Sequence, residues 1–258
     1  MYTSTHLLAV ATFAAQRAGE HTLANLHRRG DVNEAHRLDV KHKLDVEAQA
    51  VATDVIRQAF PDHVIFGEES ESGFPPDDGY VWVIDPIDGT VNFFHGMNWW
   101  CCSIAVRHNG KTVAGAVFLP QVGEMFQATS DGPALCNGVP IRVSATERPD
   151  LAAFATGMGK WRSEETAFKL LRAISEFSQR PRMLGAAAAD MCMVAAGRMD
   201  GFFESGIYVW DMAAAGLIVE RAGGTVEVLK TFPDRRLAVL ATNGNLQAAA
   251  RDVILPIL

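Results

Sequence analysis

The sequence predicts an α+β protein whose second half changes to alternating α/β, arranged as two stacked subdomains. Three observations support this prediction: a helical pattern at the N-terminus, a run of short apolar strands separated by turn residues, and alternation of helix and strand beyond about residue 150. The 258 residues, 48% of them hydrophobic, suffice for one large domain or two smaller ones sharing a core. We expect a mainly antiparallel sheet in residues 1–147 and a mixed sheet in residues 148–258.

The first half is predicted to begin with two helices. Asp45 opens the second helix, which runs to about Phe60, because an aspartate suits both the N-cap and the helix dipole. The first helix covers 5–28, where apolar residues recur at helical spacing: Leu7, Val10, Ala14 and Ala18. Turn sequences at Asn109-Gly110 and 120–123 predict antiparallel neighbours among the strands, which cover 64–67, 80–85, 101–107, 112–118 and 124–128.

The second half is predicted to alternate between the two kinds of element. The predicted strands are 151–155, 182–184, 201–204, 225–229 and 237–242. The predicted helices are 164–177, 186–197, 211–222 and 244–255.

Charge and hydropathy argue against two classes of partner. The net charge is −7, from 23 basic and 30 acidic residues, so there is no basic footprint for nucleic acid. The stretch 6–18 is interrupted by Gln16 and Arg17 and has no basic region before it, which indicates an amphipathic helix and not a signal peptide. No uncharged apolar run reaches the roughly 18 residues that span a bilayer. We therefore expect a soluble protein that does not bind membranes.

The cysteines are interpreted as structural. Cys101 and Cys102 are adjacent and cannot form a C-x-x-C motif, while Cys136 and Cys192 are isolated. As neighbours on a strand, Cys101 and Cys102 point to opposite faces of the sheet. We expect four buried, reduced thiols, which favours a cytoplasmic location.

Acidic residues stand at the ends of several predicted elements, where functional residues of α/β proteins collect. Carboxylates from separate segments fit magnesium better than zinc, because hard cations prefer oxygen ligands. The nearest histidine, His95, is interpreted as a structural or rim residue. The acidic residues are Asp45, Glu68 with Glu69, Asp85 with Asp88, and Asp211.

The segment 85-DPIDG-89 can aim two carboxylates at one point. Pro86 fixes its own φ and biases Asp85 toward an extended conformation. Gly89 and Thr90 then begin a helical turn whose free N–H groups can hold a phosphate. Taken alone, the segment is equally well interpreted as an ordinary turn, since Asp, Pro and Gly are common turn formers.

Three segments resemble the signatures of the inositol monophosphatase family, which are magnesium-dependent, lithium-sensitive phosphatases. The segment 85-DPIDGTVNF-93 resembles the first signature, 210-WDMAAAGLIVERAGG-224 the second, and 67-GEES-70 the glutamate motif. Weaker similarity extends over nearly the whole chain. The resemblance implies a layered αβαβα sandwich of the sugar-phosphatase type and a homodimer.

The resemblance also implies two or three Mg²⁺ ions in each site, with Mn²⁺ as a possible substitute. In this family pattern, Glu68 and Asp85 with the carbonyl of Ile87 match the first metal site. Asp85, Asp88 and Asp211 match the second.

The same resemblance assigns catalytic and substrate-binding roles. Glu68 is implied in catalysis as a metal ligand, Thr90 with Asp45 orients and deprotonates the attacking water, and Asp88 positions a water that protonates the leaving oxygen. The implied substrate contacts are Asp88, the N–H groups of Gly89 and Thr90, Gly185, Ala187 and Glu204.

The chain departs from the family pattern at one place. Family members usually read D-x-V-T-x-x-D, whereas this chain reads 39-DVKHKLD-45, with Lys41 and His42 in place of Val-Thr. Asp45 keeps its spacing to Glu68, so we expect its role to be retained. Lys41 is interpreted as solvated, with a substrate contact as the alternative. The polar segment 157-GMGKWRSEE-165 is expected to help set specificity.

The leading hypothesis is a magnesium-dependent phosphomonoesterase for a small polyol phosphate, with inositol monophosphate first. Histidinol phosphate, fructose-1,6-bisphosphate and a nucleotide 3′-phosphate are alternatives within the superfamily. Two other classes compete with the enzyme: a catalytically silent metal- or phosphate-binding regulator, and an interaction protein whose acidic clusters are solvated turns. A silent regulator is expected to lack a metal ligand or a member of the water-activating pair.

Overall fold

A computed structural model describes residues 2–36, 39–69, 75–157, 159 and 164–258, without the side chains of 33–36, 39–41 and 164. Short 3-10 turns follow the first helix at Leu26–Arg28 and the last at Leu255–Ile257, and a third covers Pro149–Leu151. Within these segments the helices are α1 (Ser4–Ala24), α2 (Lys43–Ala59), α3 (Thr90–His95), α4 (Glu164–Phe177), α5 (Ala187–Ala195), α6 (Val209–Arg221) and α7 (Gln247–Ile254).

The described strands form two sheets and a separate hairpin. The hairpin consists of β1 (Val32–His36) and β2 (Asp39–His42). A seven-stranded sheet contains, in spatial order, β3 (Val64–Gly67), β4 (Tyr80–Asp88), β5 (Cys101–His108), β6 (Lys111–Leu119), β7 (Glu124–Thr129), β8 (Leu135–Cys136) and β9 (Val139–Pro140). A five-stranded sheet in the order β11-β10-β12-β14-β13 contains β10 (Ala153–Thr156), β11 (Arg180–Arg182), β12 (Gly201–Ile207), β13 (Thr225–Thr231) and β14 (Leu237–Thr242).

The two sheets are the second and fourth of five layers. Apolar faces of α1 and α2 pack on one side of the seven-stranded sheet, in a cluster that includes Leu7, Ile56 and Trp82. The helices α5 and α6 lie between the sheets, and their small residues share one core with both of them. The helices α4 and α7 cover the outer side of the five-stranded sheet. The layering confirms the predicted αβαβα sandwich.

Pairing directions agree with the sequence prediction in both halves. In the larger sheet all pairs are antiparallel except β3 with β4, which run parallel. The smaller sheet is mixed, since β10 pairs in parallel with β11 and β12 while β14 pairs antiparallel with β12 and β13. The two sheets occupy separate stretches of chain, and the division into two subdomains stays a prediction. The boundary at residue 147 stays a prediction.

Several predicted elements differ from the observed ones at their ends. Asp45 does not open α2: the helix begins at Lys43 with His42 as N-cap, and Asp45 occupies the third helical position, where its side chain reaches back to the N-cap. The predicted helix starts at 211 and 244 are likewise displaced, to Val209 and Gln247. The strand expected at 182–184 covers Arg180–Arg182.

The hairpin of β1 and β2 was not predicted. Its sequence is polar and lacks the alternation of apolar and polar residues that marks a half-buried strand.

Two further predictions concern thiols and membranes. All four cysteines are free thiols, and Cys101 and Cys102 pack into different cores on opposite faces of the sheet, as predicted. Cys136, however, is only half-buried, because it lies on β8, a two-residue strand next to the edge strand β9. Among the described segments, none of the helices has the length and apolar character needed to cross a bilayer.

Candidate active site

A bulge at the end of β4 brings Asp85 and Asp88 together. Residues three apart on a regular strand point to opposite faces. Here Asp85 pairs with Ser103 and Asp88 with Cys101, so three steps on β4 match two on β5 and the register shifts between them. Such a bulge redirects a side chain, and Pro86, which has no N–H to donate, lies within it. The two aspartates therefore share one side of the sheet.

Asp211 joins this pair from the neighbouring layer. It lies in the first turn of α6, where its Oδ2 accepts a hydrogen bond from the backbone N–H of Tyr208 at 2.5 Å. One carboxylate oxygen from each of Asp85, Asp88 and Asp211 lies within 4.8 Å of the others. Asp85 and Asp88 are buried and Asp211 is half-buried. The structure thus brings together three of the predicted metal ligands.

Asp85 is held in an electrostatically unfavourable position. Its side chain is only 1% exposed, and neither carboxylate oxygen has a hydrogen-bond donor among the described residues. Burial raises the pKa of Asp85 well above its usual range, and the charges of Glu68, Asp88 and Asp211 raise it further. In the absence of a cation, a hydrogen bond between the carboxyl groups of Asp85 and Asp211 requires that one of them is protonated.

Asp88 links the larger sheet to the middle helical layer. Its Oδ1 accepts a hydrogen bond from Ala187 N at 3.1 Å, and its Oδ2 accepts one from Ala188 N at 2.8 Å. These amides are in the first turn of α5, where backbone N–H groups have no helical partner. The pKa of Asp88 is raised to about 7, mainly by burial and then by the charge of Asp211, against the lowering effect of the Ala188 amide.

Glu68 lies beside Asp85 because β3 and β4 are parallel neighbours. Gly67 pairs with Ile84, and the backbone N–H of Glu68 continues the pairing by donating to Ile84 O at 3.1 Å. The charge of Glu68 contributes to the raised pKa of Asp85. Ile87, whose carbonyl is the remaining predicted ligand, is buried within the bulge. The structure therefore places both of these predicted ligands next to the three clustered aspartates, although Glu68 is outside the 4.8 Å group.

The proposed water-activating pair lies at the starts of two helices. Asp45 is buried near the start of α2, where its Oδ2 accepts a hydrogen bond from His42 N at 2.9 Å. Thr90 is the first residue of α3, as the sequence predicted, and Gly89 is the N-cap. Gly89 has φ +92°, and a Cβ there would lie 3.0 Å from the Ala186 methyl group, so only glycine fits this turn without strain.

The predicted substrate wall is formed by α5 and β12. Gly185 lies just before α5, and its carbonyl oxygen is close to Gly89. The N–H of Ala187 is bonded to Asp88, so a substrate would have to contact Ala187 through other atoms. Glu204 is half-buried on β12, against Gly157, where a Cβ would lie 2.1 Å from Glu204 Oε1. Met158 and residues 160–163 of the predicted specificity segment lie outside the described residues.

Sequence reasoning missed several residues that hold the site in place. Asn92 donates two hydrogen bonds through Nδ2, to Trp99 O at 2.8 Å and Leu184 O at 2.6 Å, which fastens α3 to the loops on either side. The Trp99 indole donates to the buried Asp190 on α5 at 2.7 Å. Of these residues, only Asp190 could have been found from the sequence. It is an acidic residue within an apolar helix, and such a residue needs a hydrogen-bond partner.

The donor set fits a hard divalent cation. Buried carboxylates without hydrogen-bond donors, as at Asp85, are stabilised by a cation more than by any neutral neighbour. Cys101 Sγ lies 3.4 Å from Asp88 Oδ2, and burial raises the pKa of this thiol well above the usual range. In the metal-free protein it therefore stays protonated, and the charged donors of the site are carboxylate oxygens.

Solved structures with this arrangement of layers include inositol monophosphatases and suhB proteins. The chain has a TM-score of 0.86 and 32% identity to the inositol monophosphatase from Anabaena, covering 98% of this chain and 97% of that one. It has a TM-score of 0.88 and 30% identity to the extragenic suppressor protein suhB from Bartonella henselae, covering 96% and 98%. Fold and acidic site thus define a phosphatase of the layered αβαβα class.

Sequence comparison specifies the family. A sequence model of the inositol monophosphatase family matches residues 4–253. The chain is 35% identical to the chloroplastic phosphatase IMPL1 of Arabidopsis thaliana, over 97% of this chain and 70% of that protein. It is 38% identical to the Nus factor SuhB of Escherichia coli K12, over 85% and 84%. The chain belongs to the inositol monophosphatase family, whose members are metal-dependent phosphoric monoester hydrolases.

Proposed function

We propose that this chain is a magnesium-dependent phosphomonoesterase that hydrolyses a small polyol phosphate, with inositol monophosphate as the first candidate. The observation that carries the proposal is the convergence of Asp85, Asp88 and Asp211 within 4.8 Å, together with the two buried, donor-free oxygens of Asp85. A site of this kind stores repulsion between like charges, and a divalent cation removes that repulsion.

The residues that would hold the cations are Glu68, Asp85, the carbonyl of Ile87, Asp88 and Asp211. When bound, magnesium supplies Lewis acidity at the phosphoryl group and lowers the pKa of water. Two or three Mg²⁺ ions are expected from the family pattern, with Mn²⁺ as a substitute. An all-oxygen donor set is what both ions prefer.

The chain's own residues then orient the reactants and move the protons. Asp45 accepts the proton of the attacking water through the Thr90 hydroxyl, while the new bond to phosphorus forms in line with the departing oxygen. Asp88 aligns a second water, which protonates that oxygen as the ester bond breaks. The N–H groups of Gly89 and Thr90 stabilise the charge on the remaining phosphoryl oxygens.

The substrate class is inferred from the wall of the site. Glu204 offers a carboxylate that can accept hydrogen bonds from sugar or polyol hydroxyls, and it lies beside the backbone of Gly157. Histidinol phosphate, fructose-1,6-bisphosphate and a nucleotide 3′-phosphate remain the competing substrates. A panel of these three esters and inositol monophosphate distinguishes the four by kcat/KM.

Assembly and compartment follow from the family pattern and from the thiols. We propose a homodimer, which size-exclusion chromatography with light scattering would reveal. Four free cysteines fit a reducing compartment, so we propose a cytoplasmic location.

Several relatives are named as a Nus factor and not as an enzyme. These names are the reason to test a second candidate function, which is regulatory. In this second candidate the chain is a regulator that binds metal or phosphate without turnover. The predicted ligands and the water-activating pair are all present in the sequence, and this favours the enzyme.

Purified protein with magnesium should release phosphate from inositol monophosphate, and lithium should suppress the reaction. A chelator should abolish turnover until magnesium is restored. Phosphate release from none of the four esters, with saturable magnesium binding intact, would instead support the regulator.

A further inference from the structure

The departure from the family pattern at position 42 has a structural consequence. His42 ends β2 and is the N-cap of α2, and its side chain is fully buried. Its ring lies edge-on to Phe93 at 5.1 Å between centroids and at 6.0 Å from Phe94. A buried imidazole in such apolar surroundings needs partners for both of its ring nitrogens.

One partner is the backbone of the water-activating residue itself. His42 Nε2 lies 3.1 Å from Thr90 O. A carbonyl oxygen can only accept, so Nε2 carries the proton and donates it. In the neutral ring the other nitrogen, Nδ1, is then an acceptor, and it faces the backbone N–H of Asp45 in the capping box of α2.

The backbone of the same residue holds the other member of the pair. His42 N donates to Asp45 Oδ2 at 2.9 Å. His42 therefore contacts Asp45 through its main chain and Thr90 through its side chain. Thr90 lies 48 positions further along the chain than His42. The family's usual threonine has a hydroxyl that can cap α2 but is too short to replace the imidazole's Nε2.

We propose that His42 is a positioning residue that fixes Thr90 relative to Asp45, in addition to capping α2. The bond to Thr90 O restrains the first peptide group of α3 and, with it, the Thr90 side chain. The proposal rests on the proposed function, because it assumes that Thr90 and Asp45 activate the attacking water. Its chemical meaning is that proton removal depends on the bond that His42 Nε2–H donates to Thr90 O.

Two substitutions separate capping from positioning. His42→Asn retains an acceptor near the position of Nδ1 and is a good N-cap, but its side chain cannot reach Thr90. His42→Gln places an amide donor near the position of Nε2. If positioning matters, His42→Asn lowers kcat about tenfold with KM nearly unchanged, which is the effect of losing one ordinary hydrogen bond. His42→Gln recovers most of that loss.

The control substitution is His27→Asn, at an exposed histidine in the turn after α1, and we expect wild-type kcat. Calorimetric Mg²⁺ binding and the melting temperature should be the same for His42→Asn and His42→Gln within a few degrees. If both retain wild-type kcat, the proposal is wrong and His42 is only a cap. If His42→Asn and His42→Gln lower kcat equally, the bond to Thr90 O does not explain the loss, and the proposal is also wrong.

A second readout does not depend on turnover. Nitrogen-15 NMR of the imidazoles in the metal-free protein should show one buried ring as the Nε2-protonated tautomer, and this signal should disappear in His42→Asn. A His42 ring protonated on Nδ1 alone would overturn the proposal, because Nε2 could then not donate to Thr90 O. If the wild type had no phosphatase activity while the tautomer was found as expected, the proposed function would fail and the contact would stand.

Discussion

Two carboxylates of this molecule, Glu47 and Asp88, have opposite surroundings. Glu47, on α2, is 37% exposed and receives two hydrogen bonds from the Arg28 guanidinium, at 2.7 and 3.0 Å. Arg28, and then His21, lower the pKa of Glu47 to about 2. Asp88 is buried among like charges, and its pKa is raised to about 7. Partnered charges at the first site favour the folded chain, whereas crowded charges at the second oppose folding until a cation binds.

The difference indicates which region is built for binding. A raised carboxylate pKa means that ionisation destabilises the folded state, and such arrangements concentrate at functional sites. Asp88 is tolerated because two amides at the start of α5 offset part of this cost. The same amides hold its carboxylate in place for the ligand.

The largest expected effect separates the two regions by activity. Asp88→Asn should lower kcat/KM at least about a thousandfold, since roughly 4 kcal/mol of transition-state stabilisation is lost with a metal ligand. The matched control Glu47→Gln should retain wild-type kcat/KM, because its side chain pairs with Arg28 and His21, which have no part in the acidic site. Phosphate release with saturating magnesium measures both variants. Equal activity of Asp88→Asn and wild type would remove Asp88 from the mechanism.

The next effect is on the stability of the metal-free protein. Because the pKa of Asp88 is about 7 in the folded state and 3.8 ordinarily, the folded chain binds more protons than the unfolded chain between about pH 4 and pH 7. The contribution of Asp88 to the free energy of unfolding therefore falls as pH rises through this window, by a few kcal/mol at most.

Melting temperatures measured in a chelator at pH 5.5 and pH 8 test that sign. Magnesium should raise the melting temperature more at pH 8 than at pH 5.5, since cation binding competes with protons. Asp85→Asn should raise the metal-free melting temperature at pH 8 while it abolishes turnover. A lower melting temperature in that variant would contradict the repulsion between carboxylates.

A smaller effect is expected at the substrate wall. Glu204→Gln should raise KM for a polyol phosphate about tenfold and leave magnesium affinity unchanged, because a hydrogen bond to a charged group is lost away from the cations. Steady-state kinetics with a magnesium titration separate the two quantities. Gly157→Ala is the companion variant, since its Cβ would displace the Glu204 carboxylate. If Glu204→Gln changed magnesium affinity and left KM unchanged, Glu204 would not be a substrate contact.

The smallest effect is the stability change in Glu47→Gln. Solvent screens this partly exposed ion pair, so the loss should be under about 1 kcal/mol. Since the pKa of Glu47 is lowered, the stabilisation is present above about pH 4.5 and disappears as the pH falls toward 2. Urea denaturation at pH 7 and pH 3 measures it. A larger loss at pH 3 than at pH 7 would reverse the sign.

The part of the site that could be predicted is the part that short segments of the sequence encode. Asp85, Asp88 and Asp211 could be placed at element ends, and the resemblance of their segments to family signatures made their convergence predictable. The layered fold was predicted for the same reason. What local patterns did not indicate were contacts set by distant packing, such as the bonds from Ala187 and Ala188 to Asp88, which lies 99 and 100 residues away.

Helix starts were the other weak point. Asp45 and Asp211 each looked like the first residue of a helix, but both occupy the third position and accept a hydrogen bond from the N-cap backbone. A capping box with His42 or Tyr208 at the N-cap lacks the Ser, Thr or Asp that usually marks it. The bulge at Pro86 could not be predicted from the sequence either, because it depends on the register between β4 and β5.

Calorimetric titration of Mg²⁺ into the metal-free protein near pH 7, repeated in buffers of different ionisation enthalpy, tests the central claim most directly. If the crowded carboxylates are a cation site, wild type binds magnesium saturably and releases protons, because Asp88 with a pKa of about 7 is partly protonated beforehand. Asp85→Asn should lose this binding, whereas Glu47→Gln should keep it. Absent or proton-neutral binding in wild type, or unchanged binding in Asp85→Asn, would contradict the account.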